Sequence, residues 1–255
     1  MEPDPGRAED SAARGRRRFA LYAYPPNELG YCGPDDPAML TAAARAGALT
    51  EGGVDAIARQ FSGAWPYLQL IARANGLADP LDDTVVDAYW LGGEMASRVA
   101  PHDFAASSVA QMEIRTGRGE AELVSPLGRG APLQHNYHVL VVYPWLGVLR
   151  GGGPAKVLSI LEDCRIRKGV VLGIEGTHAW VESRELVFDG HSLAEGELRT
   201  EKVRVGLPAM LGDAGGRPSV GDTVSLHWDW LCEALTPDAT ARLEDSTTRV
   251  LAALA

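Results

Sequence analysis

The sequence predicts an α+β fold: a helical N-terminal part, a small five-stranded β-barrel, and a C-terminal helix. Three observations predict it. Apolar residues recur at helical spacing between residues 36 and 115. From Cys164 the texture changes to short β-like runs separated by glycine and polar turns. Residues 236–255 return to helical spacing behind a threonine and a proline. The chain has 255 residues, 45 % of them hydrophobic and 23 % charged, enough for one large domain or two ordinary ones.

Taken in order, residues 1–18 read as a disordered leader rich in Pro, Gly, Asp and Glu. Residues 19–34, FALYAYPPNELGYCGP, mix aromatics with turn formers and read as an ordered, irregular segment on the body. Asp35-Asp36-Pro37 starts a helix that runs to about Ala48. Val54, Ile57, Ala58 and Phe61 mark a second, and Trp65-Pro66-Tyr67-Leu68 opens a third that Asn75-Gly76 stops. Residues 83–98 and 102–115 read as further helices, and 116–134 as a loop. The run HNYHVLVVYPWLGVL, 135–149, reads as a β segment that ends the helical domain of residues 19–150. Residues 151–163 form a linker with a short helix.

Residues 164–255 form the barrel domain with its helix. CRIRKGVVLGIEGTHAWVESRELVFDGHSL supplies three runs, ELRTEKVRVGL a fourth and TVSLHWDWL a fifth. In the fifth, strict alternation places Val224, Leu226, Trp228 and Trp230 on one face, read as barrel core. Ser225, His227 and Asp229 fall on the other. Thr236 and Pro237 occupy the N-cap and first position of the last helix.

A formal net charge of −10 argues against a nucleic-acid surface. Arg17-Arg18-Phe19 has the look of an export signal, but the apolar stretch after it stops at Pro25-Pro26, short of the roughly 7–15 residues required. No stretch approaches the ~18 apolar residues of a membrane span. Three cysteines do not make a disulfide framework, so the sequence reads as a soluble cytoplasmic protein with reduced thiols. There is no G-x-S-x-G, no P-loop and no dinucleotide fingerprint.

Two motifs at a set distance carry a resemblance. Cys164 is followed five residues later by Gly169 and then Val170-Val171. Downstream stands Val220-Gly221-Asp222-Thr223-Val224-Ser225-Leu226-His227, leading to an acidic C-terminal helix. With these, residues 164–255 resemble the small hydrogenase-maturation chaperones of the HypC/HupF/HybG type, whose barrel is OB-like. The resemblance implies that the Cys164 thiolate and His227 hold iron carrying cyanide and carbon monoxide. It implies as partners a maturation scaffold protein and the precursor of a nickel–iron hydrogenase large subunit. Two departures stand out: Cys164 is internal rather than N-terminal, and Arg167-Lys168-Gly169 replaces the family's Ile-Pro-Gly. The two cations would stabilise a thiolate. The stretches YPPNELGYCGP, FSGAWPYLQLIARANGLADPLD, HVLVVYPW and SLHWDWLC give the whole chain a likeness to uncharacterised proteins of high-GC bacteria linked to nickel–iron hydrogenase gene clusters.

Other candidates each have a plain alternative. Asp229, two residues beyond His227, could orient its ring. Cys32, between Gly30 and Gly33, is either a second thiol for the iron group or a packed turn cysteine, with Asn27 and Glu28 nearby. His135 and His138, on opposite faces of a strand, lack further ligands at zinc spacing and read as structural. Cys232 reads as packing. Asp79, Asp82 and Asp83 read as caps and loop residues rather than a cation site. The alternative function is an enzyme whose site lies between the two domains and uses Cys32, His135 or His138.

Overall fold

The computed structural model describes residues 5–45, 53–109, 117–207 and 217–255. Its first element corrects the leader: α1 runs from Pro5 to Glu28 as one helix, with Pro25 and Pro26 in its last turn. Long-range charge pairing stabilises what composition made look unstructured. Arg16, almost fully buried, pairs with Asp55 at 2.7 Å and Asp79 at 2.9 Å. Arg18 pairs with Asp83 and reaches Glu233 at 3.3 Å. The following residues, Phe19 to Tyr24, are buried in the core.

Helix α2 (Ala38–Arg45) starts where Asp36 accepts from the Ala38 N–H; the rest of the predicted helix lies outside the described residues. After α3 (Val54–Ala58) and α4 (Trp65–Ala74), Asn75-Gly76 ends the helix as expected. The helix predicted over 83–98 is two, α5 (Asp83–Leu91) and α6 (Glu94–Ser97), interrupted at Gly92-Gly93. Helix α7 (Pro101–Phe104) continues as a π turn through 105–109; the end of that prediction also lies outside the described residues. The predicted loop at 116–134 contains helix α8 (Glu120–Gly128), which buries Leu123 and Leu127.

The β segment at 135–149 is corrected too. Helix α9 (His135–Tyr137) runs into a π turn (His138–Val142), and α10 (Trp145–Arg150) follows. Val139 to Val142 are all buried, so this stretch is apolar all round and its period carries no signal. Helix α11 (Lys156–Cys164) is the predicted short helix, and Cys164 is its last residue.

Five strands follow: β1 (Arg167–Glu175), β2 (His178–Phe188), β3 (Leu193–Arg204), β4 (Thr223–His227) and β5 (Trp230–Ala234). Two predicted runs merge into β2, and the last predicted run splits into the hairpin β4–β5. The chain reverses at Trp228-Asp229, where Trp228 holds φ 54°. The sheet order is β1-β2-β3-β5-β4, with β4 paired back to β1; the β3–β5 link is a single parallel pair, Arg204 with Trp230. Gly169 sits inside this sheet where a Cβ would stand 2.3 Å from Val181, so the motif glycine is a packing requirement. The last helix, α12 (Pro237–Ala252), has the expected caps, with the Thr236 hydroxyl accepting from the Ala239 N–H.

Val171, Val181, Val203, Val224, Leu226 and Leu231 fill the sheet's own small core. The larger core runs through the helices and includes Trp230 and Cys232. Cys232 therefore packs, as expected, whereas Trp230 belongs to the helical side rather than to the sheet core. The face of β4 that carries Ser225 and His227 is fully buried against the helices.

Candidate metal centre

His227 owes its place to α1 and the pleat of β4. Val224 and Leu226 point into the sheet core, so Ser225 and His227 point at the helices. The Tyr22 side chain sets the register: its hydroxyl lies 2.7 Å from Ser225 Oγ and donates to Glu233 at 2.8 Å. The Tyr22 carbonyl accepts from His227 Nδ1–H at 2.7 Å. That bond fixes the tautomer and leaves the Nε2 lone pair buried with no partner among the described residues.

Cys164 comes from the C-terminal end of α11, and its surroundings pin that end. The Asp163 carbonyl accepts from the Trp228 N–H at 2.7 Å. The Cys164 carbonyl accepts from His135 Nε2 at 2.9 Å. Beyond it lies a buried ionic cage. Arg165 pairs with Glu162 and Glu195, each at 2.9 Å. Arg167 grips Glu201 through two bonds and donates to the Trp228 carbonyl at 2.8 Å. Lys168 pairs with Glu244. The cations expected to stabilise a Cys164 thiolate are thus engaged with carboxylates, and burial pushes this thiol up from its ordinary value.

His135 completes the group. Gln134 caps the turn that carries it, and Asn136 pairs with both backbone groups of Ile166, tying this helical segment to the start of β1. The Tyr89 hydroxyl lies 3.2 Å from His135 Nδ1. The His135 and His227 rings meet edge to face, 5.0 Å between centroids, with Trp90 against both. One ligating atom from each of His135, Cys164 and His227 lies within 4.8 Å of the other two. Burial lowers His135 to about 4 and His227 well below its ordinary value, so both rings are neutral near pH 7. Two neutral imidazoles and one sulfur make a borderline-soft donor set suited to zinc, ferrous iron or cobalt.

Cys164 and His135 also line a cavity of about 630 Å³. Cys32 and His138 line it as well, so the helical turn brings to one cavity the two histidines that a strand would have separated. His138 Nδ1 lies 3.0 Å from the Tyr67 hydroxyl. Trp228, read from the sequence as barrel core, instead lines this cavity and stacks on Tyr31 with centroids 4.4 Å apart.

Of the predicted site residues, Cys164 and His227 come together, Cys32 stands on the same cavity, and Asp229 is elsewhere. Asp229 is exposed and pairs with Arg204 at 2.8 Å, because the reversal at Trp228 ends the alternation that would have put it beside His227. Burial raises the Cys32 thiol to about 12. Asn27 holds the Cys32 loop by donating to the Cys32 and Pro34 carbonyls, and Gly33 at φ +86° lies against the Phe61 ring. Glu28 binds Arg204 and the Trp230 indole. Asp79 and Asp83 pair with Arg16 and Arg18, and Asp82 caps α5. His135 was the residue missed as part of the cluster; nothing in its spacing from Cys164 or His227 signals a shared site.

Residues 11–255 match a family of unknown function, DUF6390. The chain belongs to that family. The DUF6390 match runs through the helices and the sheet alike, so all three residues of the centre lie inside it. No curated protein and no solved structure matches the chain. Among the described residues, no helix is long and apolar enough to cross a membrane.

Proposed function

We propose that this DUF6390 protein is an accessory protein of nickel–iron hydrogenase maturation. Its cargo is iron carrying cyanide and carbon monoxide, held by Cys164 and His227 and passed towards the large-subunit precursor. The observation that carries the reading is the meeting of those two side chains. They come from different elements 63 residues apart in sequence, yet their donor atoms lie within 4.8 Å, and His227 Nε2 has no hydrogen-bond partner among the described residues. The five strands, with β4 paired back to β1, suit the OB-like barrel of the resembling chaperones. The cytoplasm, with its reduced thiols, is the compartment this chemistry needs.

The residues divide the work. A thiolate is a strong, soft donor for low-spin iron, and Cys164 gives up its proton as the bond to iron forms. The Tyr22 carbonyl keeps the His227 proton on Nδ1 and aims the other nitrogen inward. The cavity beside Cys164 gives small ligands on the iron a place largely walled by aromatic and aliphatic side chains. One observation favours the enzyme reading, the presence of Cys32, His135 and His138 on one cavity. Burial weakens it, because both cavity thiols are held protonated and so are poor nucleophiles.

The test is infrared spectroscopy of the protein purified after co-expression with a hydrogenase maturation system. The expected result is a set of iron-bound cyanide and carbon monoxide bands that Cys164→Ala abolishes. A well-expressed, folded protein without those bands would overturn the proposal.

A further inference from the structure

We infer that His135 is a third protein ligand, so that the centre is closed within this chain and binds a bare first-row divalent cation in an open, His2Cys site. This shares Cys164 and His227 with the proposed function but does not need the iron cargo. The His135 ring comes from the helical half, the sulfur from the end of α11 and His227 from the sheet. Tetrahedral bonds of 2.0–2.3 Å place ligand atoms about 3.3–3.7 Å apart. Donors already within 4.8 Å of one another need to close by at most about 1.1–1.5 Å.

His135 has the second arrangement that ligation requires. In the structure its Nε2–H donates to the Cys164 carbonyl, and Nδ1 accepts from the Tyr89 hydroxyl. The same hydroxyl lies 3.3 Å from the Gly63 carbonyl. With the proton moved to Nδ1, His135 donates to Tyr89 and Tyr89 donates to Gly63. Nε2 is then free to ligate beside Cys164 and His227, Tyr89 and Gly63 stay paired, and the Cys164 carbonyl is the one group that gives up its donor. His227 needs no change, since its Nε2 is already unpartnered. Cys164 and His135 border the cavity, so the fourth position opens there, as in zinc sites that accept water or a small exogenous ligand.

Titration of the metal-free, full-length protein with cobalt(II) tests this. The expected result is one cobalt per chain, with a sulfur-to-cobalt charge-transfer band in the near ultraviolet and the strong visible bands of four-coordinate cobalt. Cys164→Ser should remove the charge-transfer band. His135→Gln, whose amide can still donate to the Cys164 carbonyl, should weaken binding at least tenfold while circular dichroism and melting stay as in the parent. Tyr89→Phe, which cuts the link to Gly63, should weaken it less. Cobalt binding by His135→Gln at parental strength, a charge-transfer band surviving in Cys164→Ser, or no stoichiometric binding by the parent would each overturn the inference. Failure of the cobalt titration in a parent protein that still shows the infrared bands of iron-bound cyanide and carbon monoxide would overturn this inference and leave the iron-cargo reading standing.

Discussion

His227 has one nitrogen committed to the Tyr22 carbonyl and one with no hydrogen-bond partner among the described residues, an asymmetry that suits a ligand. His227 and Cys164 could be singled out in the sequence, because the Val-Gly-Asp motif ends in one and the spacing to Gly169 starts at the other. Asp229 was misplaced for a local reason: a two-residue periodicity holds only while the strand continues, and the chain turns at Trp228. His135 was invisible because its partners are long-range. The same scale carries a prediction about Arg167, buried three residues after Cys164 and bound to Glu201 and the Trp228 carbonyl. Arg167→Ala leaves Glu201 without its strongest partner and should cost about 3 kcal/mol in urea unfolding. A loss below about 0.5 kcal/mol, the level of an ordinary surface change, would show that the cage does not hold this turn.

Among the elements, α1 and the 135–150 segment diverge furthest from their sequence reading. Helix α1 was hidden because the acids that neutralise Arg16 and Arg18 lie on α3, on α5 and its preceding loop, and on β5, not within local reach. The 135–150 segment was hidden because its apolar run Val139 to Val142, buried on every side, fits a strand or a core helix equally well. Capped elements were legible: Asp82 at α5, Thr236-Pro237 at α12 and the Asn75-Gly76 stop all act as their chemistry dictates. Carboxylates join these elements and give a pH dependence. Burial pushes Glu201 up, but hydrogen bonding to Arg167 and its charge bring it below the ordinary 4.5. Arg204 and Trp230 do the same for Glu28. The unfolded chain therefore holds more protons at these sites in acid, so their stabilisation is complete above about pH 4.5 and is lost as the pH falls further. Glu233, raised by burial, works in the opposite direction. Comparing the urea midpoints of the parent and Glu201→Gln from pH 7 to pH 3 isolates the Glu201 part. The gap should be widest at pH 7 and close towards pH 3; a gap that does not change with pH would contradict the assignment.

For the molecule as a whole, the order of helices, then strands, then a final helix was legible from texture alone; the number of strands agrees only because one merger, in β2, offsets one split, into β4 and β5. The sequence could not show that the two parts share a core. The pleat of β4 is apolar towards the sheet and carries Ser225 and His227 towards the helices, and those polar groups are paired by Tyr22 from α1, some 200 residues away. The centre forms only where helices and sheet meet: His135 from one, His227 from the other, Cys164 on the segment that joins them. Its most direct test is X-ray absorption at the metal edge of the full-length protein loaded with one equivalent of zinc. One sulfur at about 2.3 Å and two imidazole nitrogens at about 2.0–2.1 Å are expected, with one light atom completing the shell. A shell of oxygen atoms alone, a second sulfur, or a single imidazole would contradict the three-residue centre.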